Sequence, residues 1–421
     1  MADLETEIER DASRLTRPGS SLAPFRYPAF RAIWIANLAS NLGSTIQSVG
    51  AAWLMTDLTT SHRLIALVQA SATIPIMLFG MFAGAIADNY DRRRVMLAAQ
   101  IGMLVTSAVL ALMTWMGMIT PYILLAFTLT VGIGTALNSP AWQASVRQQV
   151  GLTDLPQAIS LNTISFNLAR SVGPALGGLL ISLWNVSLAF AINAVSFVAM
   201  IVVLLRWRPV FPPIERKPML PAIALGLRFC VTSSPLRRVM MRGFAFGFGV
   251  AGYQALVPAA VRDRLHGSEI QFGLMLGLFG IGSIVAALFI SNARRRFGVE
   301  RVLIAAMLAF VLAQSILAAA TSVYQALPAA FLAGVGWVMS LTSLNVAMQL
   351  RSPENIIGRC LSIYQAATFG GMALGSWAWG TVADWRSLPV ALHGASIFLF
   401  VSIGMLRILA PMPKPHEGRV T

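Results

Sequence analysis

The chain has 421 residues, 57% of them hydrophobic and only 11% charged, with a formal net charge of +15. A water-soluble body of this length needs far more charge to cover its surface, which excludes that class. Nucleic-acid binding is excluded as well, because the basic residues are sorted by side of a membrane rather than gathered in one patch.

Residues 1–24 carry Asp3, Glu5, Glu7 and Glu9 without an apolar core, and read as a cytoplasmic tail rather than a cleavable signal peptide. Twelve apolar blocks follow, at 30–56, 63–87, 93–117, 120–147, 155–184, 186–206, 237–261, 269–291, 301–320, 323–350, 356–383 and 388–409. Each is long enough to cross a bilayer as a helix, and too long and too continuously apolar for a barrel strand. With the tail in the cytoplasm, 26 of the 31 Lys and Arg residues fall on that side. Four fall outside (Arg63, Arg262, Arg264 and Arg386), and Arg170 lies within a span. That bias predicts both termini in the cytoplasm.

The expected organisation is a six-helix bundle over 25–206, a cytoplasmic linker over 207–236, a second six-helix bundle over 237–410 and a tail over 411–421. The linker carries Pro209, Pro212, Pro213, Pro218 and Pro221. Leu220, Ile223, Leu227 and Val231 then recur at roughly helical spacing, which predicts a short helix on the inner membrane surface. Cys230 and Cys360 both fall on the cytoplasmic side, and neither a disulfide nor a metal site is expected of them.

The two bundles are copies of each other. Gly132, Gly134, Ser160, Gly173 and Gly178 recur 202 residues later as Gly334, Gly336, Ser362, Gly375 and Gly380. Two similar helical halves can rock about a shared central site and open it to each side in turn.

After the second block comes Gly84-Ala-Ile-Ala-Asp88-Asn-Tyr-Asp91-Arg92-Arg93-Arg94. Gly84 permits close approach of another helix, and Asp88 can accept bonds from a neighbouring helix start or pair with an arginine. A degraded copy follows the eighth block: Tyr90, Arg94 and Val95 match Phe297, Arg301 and Val302.

This segment resembles the Gly-x-x-x-Asp-basic-x-Gly-basic-basic loop of the major facilitator superfamily of secondary transporters. Gly84, Asp88, Arg93 and Arg94 fall on the pattern; Asn89 and Asp91 depart from it. Phe30-Arg-Ala-Ile-Trp34, Asn41-Leu-Gly43, Gln47 and Trp53-Leu-Met-Thr-Asp57 are similar to a bacterial branch of that superfamily. The branch includes the enterobactin exporter and macrolide efflux pumps, and Ser234-Pro-Leu-Arg-Arg238 fits it too. The resemblance implies a latch between the halves on the cytoplasmic side, involving Gly84, Asp88, Asp91, Arg92, Arg93 and Arg94. Its partner would be Arg147 or the segment from Asn355 to Arg359.

In the fifth block, Gly173-Pro174-Ala-Leu-Gly177-Gly178 is similar to the tail of the superfamily's exporter motif; Ser160 and Ala169 stand where the fuller motif has glycines. These four residues form a candidate hinge, with tight helix packing as the plain alternative. Arg170 is the single charge placed deep in the bilayer, which makes it the first candidate for the transport path; the alternative is a structural arginine. Further path candidates are Asn41, Gln47, Asn138, Gln143, Gln254, Asn345 and Gln365, with Trp142, Trp337 and Met339 as apolar contacts.

The chain has two lysines, neither in a phosphate-binding loop, and no motif of an embedded enzyme, so neither catalytic residues nor cofactors are expected. The resemblance implies proton-coupled antiport, yet no carboxylate falls mid-membrane; Asp57, at the outer end of the first block, is the candidate coupling group.

The expected protein is an all-α, twelve-helix transporter of the bacterial inner membrane, monomeric and in contact with lipid, exporting a small organic compound. By resemblance that compound is a siderophore or a hydrophobic drug. A lipid flippase, an uptake permease and a non-transporting sensor are the rival expectations.

Overall fold

A computed structural model of the chain describes residues 20–208, 219–353 and 356–412. The expected tail over 1–19, the linker prolines up to Pro218 and the tail from 413 onward lie outside the described residues. Six long helices come first: α1 (Pro28–Leu58), α2 (His62–Asn89), α3 (Arg92–Trp115), α4 (Pro121–Ser145), α5 (Leu155–Leu183) and α6 (Val186–Arg206). A short linker helix, α7 (Met219–Thr232), is followed by six more. These are α8 (Ser234–Ala259), α9 (Glu269–Phe297), α10 (Val299–Ala319), α11 (Val323–Gln349), α12 (Ile357–Trp385) and α13 (Leu388–Leu409). Ten of the long helices are apolar enough to cross a membrane on composition alone. The other two, α1 and α12, carry Asn37, Asn41 and Gln47, and Arg359, Tyr364 and Gln365, among their apolar residues.

Both ends of the described chain lie on one face, which we call the terminal face; the opposite one is the far face. All six helices that start at the far face are N-capped by a side chain: Ser61, Thr120, Asn185, Ser268, Ser322 and Ser387 each accept from a backbone amide. Such a cap answers one of the amides that a helix start leaves bare, for about 0.5–2 kcal/mol. Ser268 and Gln271 complete a reciprocal capping box. The outer flanks are apolar and bare, as hydrocarbon requires: Val195, Val202 and Leu205 on α6, and Ile397, Val401 and Ile408 on α13.

The repeat seen in the sequence is a repeat of contacts. In the first bundle α1 packs on α5 and α6, α4 on α2 and α3, and α3 on α6. The second repeats every pairing seven helices later, with α8 on α12 and α13, α11 on α9 and α10, and α10 on α13. The marked glycines sit at equivalent joints. A side chain at Gly132 would meet α2 at Ser71 and Pro75, and one at Gly334 would meet α9 at Phe279 and Ser283. Gly173 faces Thr45 of α1, as Gly375 faces Phe248 of α8.

Packing begins slightly before the expected bundle start. Ala23–Arg26 forms one 3-10 turn with Ala23 and Pro24 buried, and the Phe25 ring stands edge-on to Trp34 at 5.1 Å.

Candidate functional site: a central arginine beneath a closed far face

Arg170 lies fifteen residues beyond Leu155, about 22 Å along α5. A charge at that depth is costly unless something receives it. Its guanidinium carbon stands 5.3 Å from the Phe279 ring centroid and 5.4 Å from that of Trp337. Phe279 belongs to α9 and Trp337 to α11; both are buried, and their centroids are 6.4 Å apart. An arginine of the first bundle thus projects into an aromatic wall of the second. Each such face-on contact is worth about 0.5–2 kcal/mol. Among the described residues Arg170 has no ion pair and no hydrogen bond, so its planar fork of donors is open to a ligand.

The other path candidates divide. Gln47 is buried and accepts a 2.8 Å bond from Asn193 of α6, so its amide joins two helices of one bundle. Asn138 is half-buried, and its side-chain oxygen is enclosed without a partner. Gln143 is exposed near the terminal face, and Asn345 accepts a 2.5 Å bond from Gln349. Asn41, Gln254 and Gln365 are half-buried. The hinge candidates are tight joints: Gly173 and Gly177 face α1, while Gly178 meets the Glu269 carbonyl of α9 and Pro174 presents its own carbonyl to Gly273.

At the far face the bundles are fastened together. Asp384, at the end of α12, receives the amides of His62 at 2.5 Å and Arg63 at 3.2 Å and the Ser61 hydroxyl at 2.7 Å. A carboxylate of the second bundle therefore caps a helix of the first, where the helix dipole favours negative charge. The His62 ring lies between two acids, Nε2 3.3 Å from Asp263 and Nδ1 3.3 Å from Asp384. Beside it, Asp57 of α1 is paired with Arg262, which also lies over Trp53 at 5.4 Å. Trp53 in turn stacks on Phe272 of α9 at 5.6 Å. The proposed coupling carboxylate is thus one side of an ion pair between bundles.

The basic loop behaves differently. Arg92 donates to the Ala144 carbonyl at 3.0 Å, and Arg93 to those of Leu204 at 2.6 Å and Leu205 at 3.0 Å. Asp91 caps α3 by accepting from the Arg93 and Arg94 amides. All of these bonds stay inside the first bundle, where arginines answer helix-end carbonyls. Arg94 and Arg147 are exposed, and a methyl group at Gly84 would stand 4.0 Å from the Ser362 hydroxyl of α12. The side chain of Asp88, and Asn355 proposed as its partner, lie outside the described residues.

Sequence reasoning missed three features. The His62 clasp joins residues more than 200 positions apart. Phe279 had no polar signature to mark it. Arg242 looked like a topological anchor, but it is buried, bonded to the Leu406 and Ala410 carbonyls, and paired with Glu300 at 2.8 Å. Rarity was the available signal for the clasp, since the chain has four histidines.

A family model described as transmembrane secretion effector matches residues 19–419. The chain belongs to that family. It is a transporter of the major facilitator superfamily and not an enzyme. The enterobactin exporter EntS of Salmonella typhimurium (strain LT2) is 26% identical over 403 residues, covering 91% of this chain and 92% of the relative. The staphyloferrin A transporter of Staphylococcus aureus is 26% identical over 271 residues; the match spans 61% of this chain and 65% of that relative. The fold is also that of the nucleoside transporter NupG, with a TM-score of 0.69 at 14% identity over 90% of this chain and 99% of that one.

Proposed function

We propose that this chain is a secondary active exporter of a small anionic organic compound of the siderophore class. In this reading it works by alternating access in the bacterial inner membrane. The supporting observation is Arg170: a cation at mid-depth, backed by two aromatic rings, with no carboxylate partner among the described residues. An anion with an aromatic or planar carboxylate group suits that site better than a neutral hydrophobic drug, because the arginine fork supplies paired donors. The named substrates of the two relatives point the same way.

The terminal face is the cytoplasmic one in this proposal, since the sequence pattern sorts 26 of the 31 Lys and Arg residues to the side of the termini. With the far face closed, the route to the central site in this reading is from the cell interior, the side on which an exporter loads.

The test measures siderophore released into the medium, and retained in the cells, for the wild type, Arg170→Lys, Arg170→Ala and cells without the protein. Arg170→Ala is expected to lower release at least about tenfold, since one lost charge-assisted bond is worth about 1.5–3 kcal/mol; Arg170→Lys should fall between. Equal release from all four strains removes the proposal.

A lipid flippase is the second reading. Towards the terminal face, Ile164 and Phe166 on α5 and Leu288 and Phe289 on α9 are exposed, and an apolar lateral opening suits a lipid tail. Translocation of a labelled lysophospholipid by reconstituted protein, with no siderophore release in cells, would favour it.

A further inference from the structure

The His62 clasp has a property that ordinary packing does not require. A neutral imidazole carries one N–H and one lone pair. Here both ring nitrogens face carboxylate oxygens at 3.3 Å, Asp263 on one side and Asp384 on the other. A neutral ring offers these two acids no charge, and one of its nitrogens brings a lone pair beside an acid oxygen. The doubly protonated ring sets a positive charge at ion-pair distance from both acids. When the far face opens, α2 must leave both acids, since Asp263 and Asp384 belong to the second bundle and His62 to the first.

We propose that His62 is a proton-binding site which fastens the far face when charged and releases it when neutral. The inference rests on the alternating-access reading above. Proton and clasp are linked: a state that binds the proton more tightly gains population as pH falls. Acid on the far side therefore favours the closed far face, and alkali favours opening. Histidine is the side chain suited to this, changing charge between roughly pH 5 and 8.

Other charges surround the clasp without holding its ring. Neighbouring elements bring Asp57 of α1, Arg63 of α2, Arg262 and Arg264 near the end of α8, His266 of the following loop, Glu269 of α9 and Arg386 after α12. Arg262 is engaged by Asp57, and Arg264 donates to the Ala320 carbonyl. Only Asp263 and Asp384 pair with the His62 ring among the described residues.

The direction of proton exchange follows from the position. A site at the far face takes its proton from that side on closing and returns it there on opening. No proton crosses the membrane by this route, so the clasp sets the pace of opening in response to far-side pH and does not drive export.

The test follows far-face distance in the full chain, in lipid nanodiscs, between spin labels at Met118→Cys and Tyr324→Cys. Both positions are exposed, Met118 on the α3–α4 connection and Tyr324 in the first turn of α11, and native Cys230 and Cys360 are replaced by alanine. Going from about pH 8 to about pH 5.5, the ratio of short to long distances should rise about tenfold, which corresponds to about 1.4 kcal/mol of attraction gained when the ring is charged between the two acids. His62→Gln should abolish the pH response. Asp263→Asn, which leaves the Asp384 cap on α2 intact, should reduce it. A full response retained in either variant overturns the proposal. Two distances with no pH response in the wild type overturn the clasp and leave alternating access standing. One closed distance at every pH overturns both.

Discussion

Gly178 of α5 and Gly380 of α12 occupy equivalent positions in the repeat, and each meets the first turn of a helix in the other bundle. Gly178 lies against Glu269 and Gly273 of α9, and Gly380 against Arg63 and Ala66 of α2. From these matched starting points at the far face the two seams diverge. The α2·α12 seam continues through Gly370 against Met77 to Gly84 near Ser362, almost the whole depth of the molecule. The α5·α9 seam continues only to Gly280, which packs against Ser171 and the Arg170 carbonyl. Beyond that point Ile164 and Phe166 stand exposed. The same duplicated element thus gives one seam with close glycine contacts at three depths and one whose close glycine contacts end at the level of the central arginine, beyond which α5 exposes apolar residues. Arg170 sits at the fork, deeper than the basic residues of the terminal face.

The sharpest way to break this comparison is cross-linking. With Cys230 and Cys360 replaced, Gly84→Cys with Ser362→Cys should form a disulfide, because a Cβ at 84 stands 4.0 Å from the Ser362 hydroxyl oxygen and a small helix shift brings the pair within disulfide reach. Ile164→Cys with Leu288→Cys, exposed positions on α5 and α9 beyond the last close glycine contact, should stay reduced under the same oxidant. Equal yields on a gel-shift assay would mean the seams do not differ.

A smaller effect is expected at Gly178. A methyl group there collides with the Glu269 backbone carbonyl, which has no rotamer to move away. Gly178→Ala should disfavour the closed far face by about 1–3 kcal/mol, a shift of about 5- to 150-fold in the ratio of states. The Met118–Tyr324 label pair would read it as longer distances at constant thermal stability. Loss of stability without a change in distance would make Gly178 an ordinary packing position.

Gly84 should give the least. Its nearest neighbour across the seam, the Ser362 oxygen, is at ordinary contact distance, so Gly84→Ala fits without movement. It should leave melting temperature unchanged or raise it slightly, since alanine favours helix over glycine by about 0.5–1 kcal/mol. A fall in export with unchanged melting would sharpen the picture, locating the close approach in the opposite state, where the latch is proposed to form.

Much of this architecture was readable from residue order. The apolar blocks predicted the long helices closely because a lipid-facing helix declares itself by length and continuity: 186–206 and 388–409 match α6 and α13 to the residue. The repeated glycines announced equivalent joints because small residues, glycine above all, let helices approach closely. Arg170 stood out because a mid-membrane charge is rare.

What could not be read was pairing between distant segments. His62 and Asp384 are 322 positions apart, and helical periodicity says which face a residue occupies without saying what that face meets. The same blindness grouped Gln47 with the path residues: its polar type suggested water, whereas Asn193, 146 positions later, completes its bond. Arg242 was sorted with the surface cations by position alone, and burial beside Glu300 gives it a structural task instead.

The Gln47–Asn193 bond also limits how the first bundle can deform. It lies in the dry interface of α1 and α6, with Ser196 bonded to the same asparagine at 3.2 Å through the side-chain oxygen. Sliding one helix past the other by a single turn would strand both amides in hydrocarbon with no water to take over. The pair therefore acts as a rivet: α1 and α6 can tilt as one lever, but they cannot shear, and any stroke the bundle makes must be delivered whole to its rim.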